Sequence, residues 1–371
     1  MRISLLLCVS FFSCTSFAQQ PVIKILESGK RVSIRGLSVV NDNVIWASGS
    51  GGNVARSTDG GNSFKWMKVA GYERSDFRDI EAFDSNTAII MGITTPAVIL
   101  KTKDGGQTWK KVFEDTAKAA FLDAMDFIPS GYNDKHPEIT VTDVGDTSHL
   151  TPAAEKYRYA SGMVVGDPID GRFYFLSSFD GGDHWEKADA KGKEIPSPAN
   201  GEAFFASSGT NLKLINAKNF SSSFYAVTGG KSSNLWDMFY WKSYPLPIMQ
   251  GQESTGANSL AIYTDGTKGV TVGGDFSKDT ISSNNCVLIS FGKQIKMSIP
   301  KTPPHGYRSC VIYLDDKKLI TCGTSGVDIS TDGGMNWELI SKESFHVCQK
   351  AKKGNAVFLA GNGRIAKLML P

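Results

Sequence analysis

Four short segments of this chain repeat one pattern: "RSTDGGNSFKW" (56–66), "KTKDGGQTWKK" (101–111), "SSFDGGDHWEK" (177–187) and "ISTDGGMNWEL" (329–339). Aligned, they read Ser/Thr-x-Asp-x-Gly-x-x-aromatic, and each residue type suits a tight turn between two strands. An Asp carboxylate accepts hydrogen bonds from backbone N–H groups just ahead of it and closes an Asx-type turn. Glycine tolerates the positive φ that a reversal needs. The aromatic then opens the next strand and buries a ring of roughly 150–250 Å², worth about 4–6 kcal/mol as an upper bound. Asp59, Asp104, Asp180 and Asp332 are therefore read as structural residues.

Their spacing constrains the whole chain. The aspartates are separated by 45, 76 and 152 residues, which fits one unit, one unit with an insertion, and three units of about 45 to 50. Strand-rich units of that period mean a β-propeller. Short apolar or alternating runs such as "LSVV", "VIWASG" and "NVARS" are broken by Gly, Asn and Asp, with no helical period over ten residues. Seven segments align as innermost strands: "IRGLSVV" (34–40), "FRDIEAF" (77–83), "FLDAMDF" (121–127), "GEAFFAS" (201–207), "ANSLAIY" (257–263), "YRSCVIY" (307–313) and "FHVCQKA" (345–351). The expected fold is all-β, a seven-bladed β-propeller with four-stranded antiparallel blades. After Phe345 there is chain for three strands only, so "VIKILES" (22–28) is expected to supply the fourth and close the ring. "VTGGKSSNLW" (227–236) and "VLISFGKQIK" (287–296) stand where the fourth and fifth units should carry the glycine turn. The surplus polar stretch at about 130–162 reads as a surface excursion between the first two strands of blade 3.

The first 18 residues, with an early Arg, a short apolar run, and Ser16 and Ala18 before Gln19, read as a cleavable signal peptide. Residues 19–371 are then the propeller, in the periplasm or secreted. Lipidation at Cys14 would need a better preceding motif than Phe11-Phe12-Ser13. No later stretch approaches the ~20 apolar residues of a membrane span. A formal charge of +3 over 371 residues is no nucleic-acid footprint. The mature chain keeps Cys286, Cys310, Cys322 and Cys348, without metal-ligand spacing. Cys310 falls at equivalent points with Cys348 on neighbouring inner strands, with Cys322 on the strand after it, so one disulfide between Cys310 and either partner is conceivable.

The turn is identified as an Asp-box, or bacterial neuraminidase repeat, and the fuller pattern "IRGLSVVNDNVIWASGSGGNVARSTDGGNSF" resembles the photosystem II stability/assembly factor-like propellers. That resemblance spans most of residues 30–371. It implies an exported, seven-bladed, non-enzymatic scaffold, a monomer that binds a protein client, with no photosynthetic role carried over.

One column of the inner-strand alignment suggests a site at the channel mouth: Arg35, Arg78, Leu122, Glu202, Asn258, Arg308 and His346, with Asp79 and Asp123 alongside. Three arginines could hold a carboxylate or another anionic group, from an acidic peptide or glycan, because guanidinium forks match such ions bidentately. The competing reading pairs those arginines with Asp79, Asp123 or Glu202 across blades. Sialidase-like or other glycoside hydrolysis is the alternative function, with Asp79 and Glu202 as an available carboxylate pair. Against it stand the missing Arg-Ile-Pro opening motif and seven units where sialidases have six. No cofactor is expected: "GNGRIA" (361–366) and "GSGGN" (49–53) lack the strand–turn–helix context of a dinucleotide site, and the five histidines lack ligand spacing.

Overall fold

The computed structural model of the chain describes residues 20–93, 95–128, 160–187, 196–215 and 223–371. Among these the strands form seven antiparallel sheets and no helix. The inner strands are Ile34–Val39, Phe77–Ala82, Leu122–Ile128, Leu212–Ile215, Thr255–Ile262, Cys310–Tyr313 and Val347–Lys350. Each touches its two neighbours, and the last touches the first, so the chain is a seven-bladed propeller around one axis. In blade 7 the amino-terminal strand Val22–Glu27 lies antiparallel on the carboxy-terminal strand Arg364–Met369, with Ile23 opposite Leu368 and Ile25 opposite Ala366. The expected signal peptide (1–18) and nearly all of the expected insertion (130–162) lie outside the described residues.

The four repeated turns share one geometry. Each joins the third and fourth strands of a blade. In the first, the Ser63 amide donates to Asp59 Oδ1 at 3.0 Å, and the Gly61 amide donates to Ser57 Oγ at 2.9 Å. The same two bonds recur at Thr102/Asp104, Ser178/Asp180 and Ser330/Asp332. The Ser63 hydroxyl and amide and the Ser57 hydroxyl stabilise the ionised form and hold the Asp59 carboxyl at about 2. The second glycine has a further reason beyond its positive φ. A Cβ on Gly61 (φ +87°) would sit 2.6 Å from Leu26 Cδ1 of blade 7, and one on Gly182 (φ +83°) 2.3 Å from Ile89 Cδ1 of blade 2. Each turn therefore packs onto the preceding blade, and glycine is what lets the two sheets approach. Lys101 strengthens one such junction, donating from blade 2 to the Gly181 carbonyl at 2.8 Å and pairing with Asp183 at 3.0 Å.

Blade 4 departs from the sequence reading. Its inner strand is Leu212–Ile215, not the "GEAFFAS" segment at 201–207. Glu202–Ala203 instead forms a two-residue ladder with Gly229–Gly230, which in turn meets Gly256 and extends the sheet of blade 5 to six strands. Phe204, whose apolar flank made the segment resemble an inner strand, packs on Phe173 at 5.3 Å between ring centroids. The register shift carries downstream. "VTGGKSSNLW" links the second and third strands, and the counterpart of the glycine turn is residues 238–241, between Asn234–Asp237 and Lys242–Pro245.

Candidate functional site

The inner strands of blades 1, 2 and 7 begin at one end of the axial channel and place three polar side chains there. Arg35 and Arg78 are half-buried, and His346 is buried. Between them and the solvent channel runs the chain itself. The segment Phe204–Gly209, preceding the inner strand of blade 4, crosses this end of the channel. Arg35 donates from NH1 to the Ser207 carbonyl at 3.0 Å, and Arg78 reaches the Ala206 carbonyl at 3.4 Å. Ser208 donates to the Ser309 carbonyl of blade 6 at 2.6 Å. Thr210, just below, donates to Ser259 Oγ of blade 5 at 2.7 Å. This segment is a plug, and Gly209 (φ +65°) lets it pass: a Cβ there would lie 2.3 Å from Cγ of Asp79.

The two guanidiniums are not neutralised by the plug. Arg78 Nε pairs with Asp76 Oδ2 at 2.9 Å, while Arg35 has no ion pair among the described residues. Burial, and then the Arg78 charge, lower the pKa of Arg35. His346 donates from Nδ1 to the Ile34 carbonyl at 3.0 Å. Burial first, then Arg35, press its pKa down to about 4, so its ring is neutral at pH 7.

The other members of the predicted set sink into the blades. Arg308 is fully buried; it donates to Asp328 from Nε at 2.6 Å and again from NH2, and NH1 binds the Tyr307 carbonyl and Ser325 Oγ, both at 2.8 Å. It is a blade-6 ion pair, not a mouth residue. A signal for this was in the sequence: Asp328 stands two residues ahead of the turn Ser330, where the other three copies have Ala55, Leu100 and Leu176. Glu202 accepts from Thr228 Oγ1, Asn234 Nδ2 and Trp236 Nε1 on Oε1 and from the Ala199 amide on Oε2, at 2.5–3.0 Å, which binds it into the strands of blade 4. Asn258 accepts the Tyr307 hydroxyl at 2.8 Å and donates to the Gly256 carbonyl. Asp79 ties blades 2 and 3 by accepting the Ile80 and Met125 amides at 2.8 and 2.7 Å. The proposed Asp79–Glu202 carboxylate pair is therefore not a working pair, because each acid is engaged in its own structural knot.

Asp123 does meet a second acid, one the sequence did not suggest. It is wholly buried near Asp167, with neither carboxylate oxygen in a good hydrogen bond among the described residues. The nearby Asp167 amide is already donated to the Phe121 carbonyl at 3.0 Å. Burial, and then the Asp167 charge, push the Asp123 carboxyl up, and burial raises Asp167 to about 6. The folded protein thus binds the Asp167 proton more tightly than the unfolded chain, whose carboxylate titrates near 4. Its stability cost is absent below about pH 4, grows as pH rises, and is complete above about pH 6. Asp167→Asn should leave the melting temperature at pH 4 unchanged and raise stability at pH 7.5 by about 1–2 kcal/mol. Thermal melts across that range will read this directly; a uniform shift at all pH values would contradict it.

Cys310, Cys322 and Cys348 carry no disulfide. Cys310 and Cys322 face each other across the ladder, and Cys310 Sγ lies 3.3 Å from the Cys348 carbonyl, but all three are free, buried thiols, as is Cys286. Their side chains fill the core between blades 6, 7 and 1 as small hydrophobes. No group of three or more His, Cys, Asp or Glu side chains among the described residues is placed to hold a metal ion. No helix among them is long and apolar enough to cross a membrane.

Fold and site together define a class: a seven-bladed β-propeller whose axial channel is stopped at one end by its own chain. Among solved structures the chain is similar to one described as "YCF48 bound to D1 peptide", at 13% identity, a TM-score of 0.57, and coverage of 95% of this chain and 96% of that one. It is similar as well to YCF48 from Cyanidioschyzon merolae, at 15% identity and a TM-score of 0.58, covering 94% of this chain and 98% of that one. At such identities the likeness is one of fold. No protein-family model matches the chain, and no curated protein does.

Proposed function

We propose that this protein is an exported, non-catalytic propeller that binds a protein client through an acidic segment seated against Arg35 and Arg78. The observation that carries the reading is the pair of half-buried guanidiniums from neighbouring blades, with Asp76 the one ion-pair partner among the described residues, and on Arg78 alone. Two like charges held together in a partly desolvated place favour an incoming anion. The plug carbonyls hold the forks but supply only partial negative charge. A propeller of the same fold is described with a bound peptide, which supports a protein partner here. The Asp-box reading of the turns, the signal peptide and the periplasmic or secreted location belong to the same proposal.

The test is a titration with a glutamate-rich decapeptide at two salt concentrations. The double variant Arg35→Ala/Arg78→Ala should bind at least about tenfold more weakly and lose most of the salt dependence. Its melting temperature should fall by only a few degrees, since each side chain gives one or two net hydrogen bonds of about 1 kcal/mol. Unchanged binding in that variant would remove the site.

A glycoside hydrolase is the second reading, and the buried Asp123–Asp167 pair with raised pKa values is the observation in its favour. Asp123 is wholly buried, and neither acid lines the described cavity (below). Turnover of a fluorogenic sialoside or glycoside, abolished by Asp167→Asn, would establish it.

A further inference from the structure

Among the described residues the opposite end of the axial channel holds a cavity. Residues at and just beyond the inner strands of blades 4 to 7 line it, about 560 Å³ in volume, with Thr210 among them and the plug closing the channel beyond. It is thus a blind funnel, inside the ~300–1,000 Å³ range of sites for small ligands. One wall is apolar, with Ile262, Val311 and Ile312 between Tyr263 and Tyr313, whose rings meet edge to face at 5.4 Å.

Three lysines reach the funnel, and their engagements differ. Lys352 is saturated, bonded to Glu81, Ser38 Oγ at 3.0 Å and the Ala82 carbonyl at 2.8 Å. Lys213 is taken up by acids: it lies 3.7 Å from Asp126, and, against burial, the charges of Asp126, Glu81 and Asp79 raise its pKa. Lys350 has no ion pair among the described residues and donates only to the Leu314 carbonyl at 2.6 Å. The adjacent acid, Asp315, accepts the Lys317 and Lys318 amides at 2.9 and 2.7 Å, and the Lys350 charge acts on it without forming an ion pair. An ammonium with one protein acceptor, facing a cavity with an apolar aromatic wall, suits a particular ligand chemistry.

We propose that this funnel is a binding site for a small carboxylic acid with an apolar or aromatic body, its carboxylate on Lys350 and its body against Tyr263, Tyr313 and Ile312. A blind floor selects a ligand that ends inside, and the wall selects against a strongly hydrated one. The site is independent of the Arg35–Arg78 end, from which the plug separates it.

The experiment is calorimetric titration of the full chain with phenylacetate, indole-3-acetate and hexanoate, each beside its neutral amide. At least one acid should bind with Kd below about 1 mM, and its amide at least about tenfold more weakly. The amide comparison uses the unaltered protein, so it stands whatever a variant does to folding. Lys350→Met should reproduce the loss seen with the amide, Lys350→Arg should restore binding in part, and Arg35→Ala/Arg78→Ala should change nothing. Failure of all three acids to bind, equal binding of acid and amide, or full binding by a folded Lys350→Met variant would overturn the proposal. None of these outcomes bears on the decapeptide result, so the two sites fail separately.

Discussion

Arg308→Ala is expected to lower folding stability by about 3–5 kcal/mol, measured by denaturant titration, because it strands the Asp328 carboxylate in the interior of blade 6. Arg308 and Asp328 are 0% and 1% exposed at the side chain, so no water is at hand to replace the lost donors. The Tyr307 carbonyl and Ser325 hydroxyl would lose a partner as well. The loss should belong mostly to the abandoned charge rather than to the pair. The double variant Arg308→Met/Asp328→Leu should therefore recover most of it, since apolar replacement of a buried ion pair is often neutral or better. Arg308→Lys should fall between, keeping charge but losing the fork that engages Asp328 twice. If Arg308→Ala proved as stable as the parent, burial could not be what fixes this arginine, and its exclusion from the channel mouth would have to be reconsidered.

Deletion of residues 21–28 should be nearly as damaging. The strand they form is the outermost of blade 7 and ties the first residues of the chain to the last. Ile23 and Leu26 pack on the core shared by blades 7, 1 and 6, and Leu26 covers Gly61 of the first turn. Glu27 accepts the Trp66 indole N–H of blade 1 at 3.2 Å. Two aliphatic side chains, partly buried, at no more than about 1.5–3 kcal/mol each put the upper bound of the loss from these contacts at roughly 3–6 kcal/mol. The backbone of Arg364–Met369 would also become an open edge prone to pairing with other copies. The expected result is a lower melting temperature in one cooperative step, with concentration-dependent aggregation. Adding the peptide 20–28 in trans should restore part of the loss. A truncated protein that melts like the parent would mean the ring is held shut without this strand.

The legible parts of this molecule are those decided within a few residues. In each repeated turn the hydrogen bonds span two to four positions, from Asp59 to Ser63 or from Ser57 to Gly61. Residue type and order therefore specify them before any tertiary contact forms. The turns set the blade period, and the period set the count of seven. Six of the seven inner strands were found at their places for that reason. The fourth was not, because "GEAFFAS" has the apolar flank of an inner strand while its actual role is to pack Phe204 between blades and pass over the channel.

The candidate site was legible as a column of residue types but not as a set of roles. Arg35 and Arg308 stand at equivalent positions, and nothing adjacent to them separates their fates. An aspartate twenty positions after Arg308 buries it, while a carbonyl 172 positions after Arg35 holds that side chain at the mouth. The turns, the period and the blade count belong to the sequence alone, because short-range hydrogen bonding and glycine geometry act wherever the chain goes. The plug and the funnel were decided by the closed ring, and the buried ion pair by the folding of blade 6. Only closure brings residues a hundred positions apart within hydrogen-bond reach and determines which charges keep a partner.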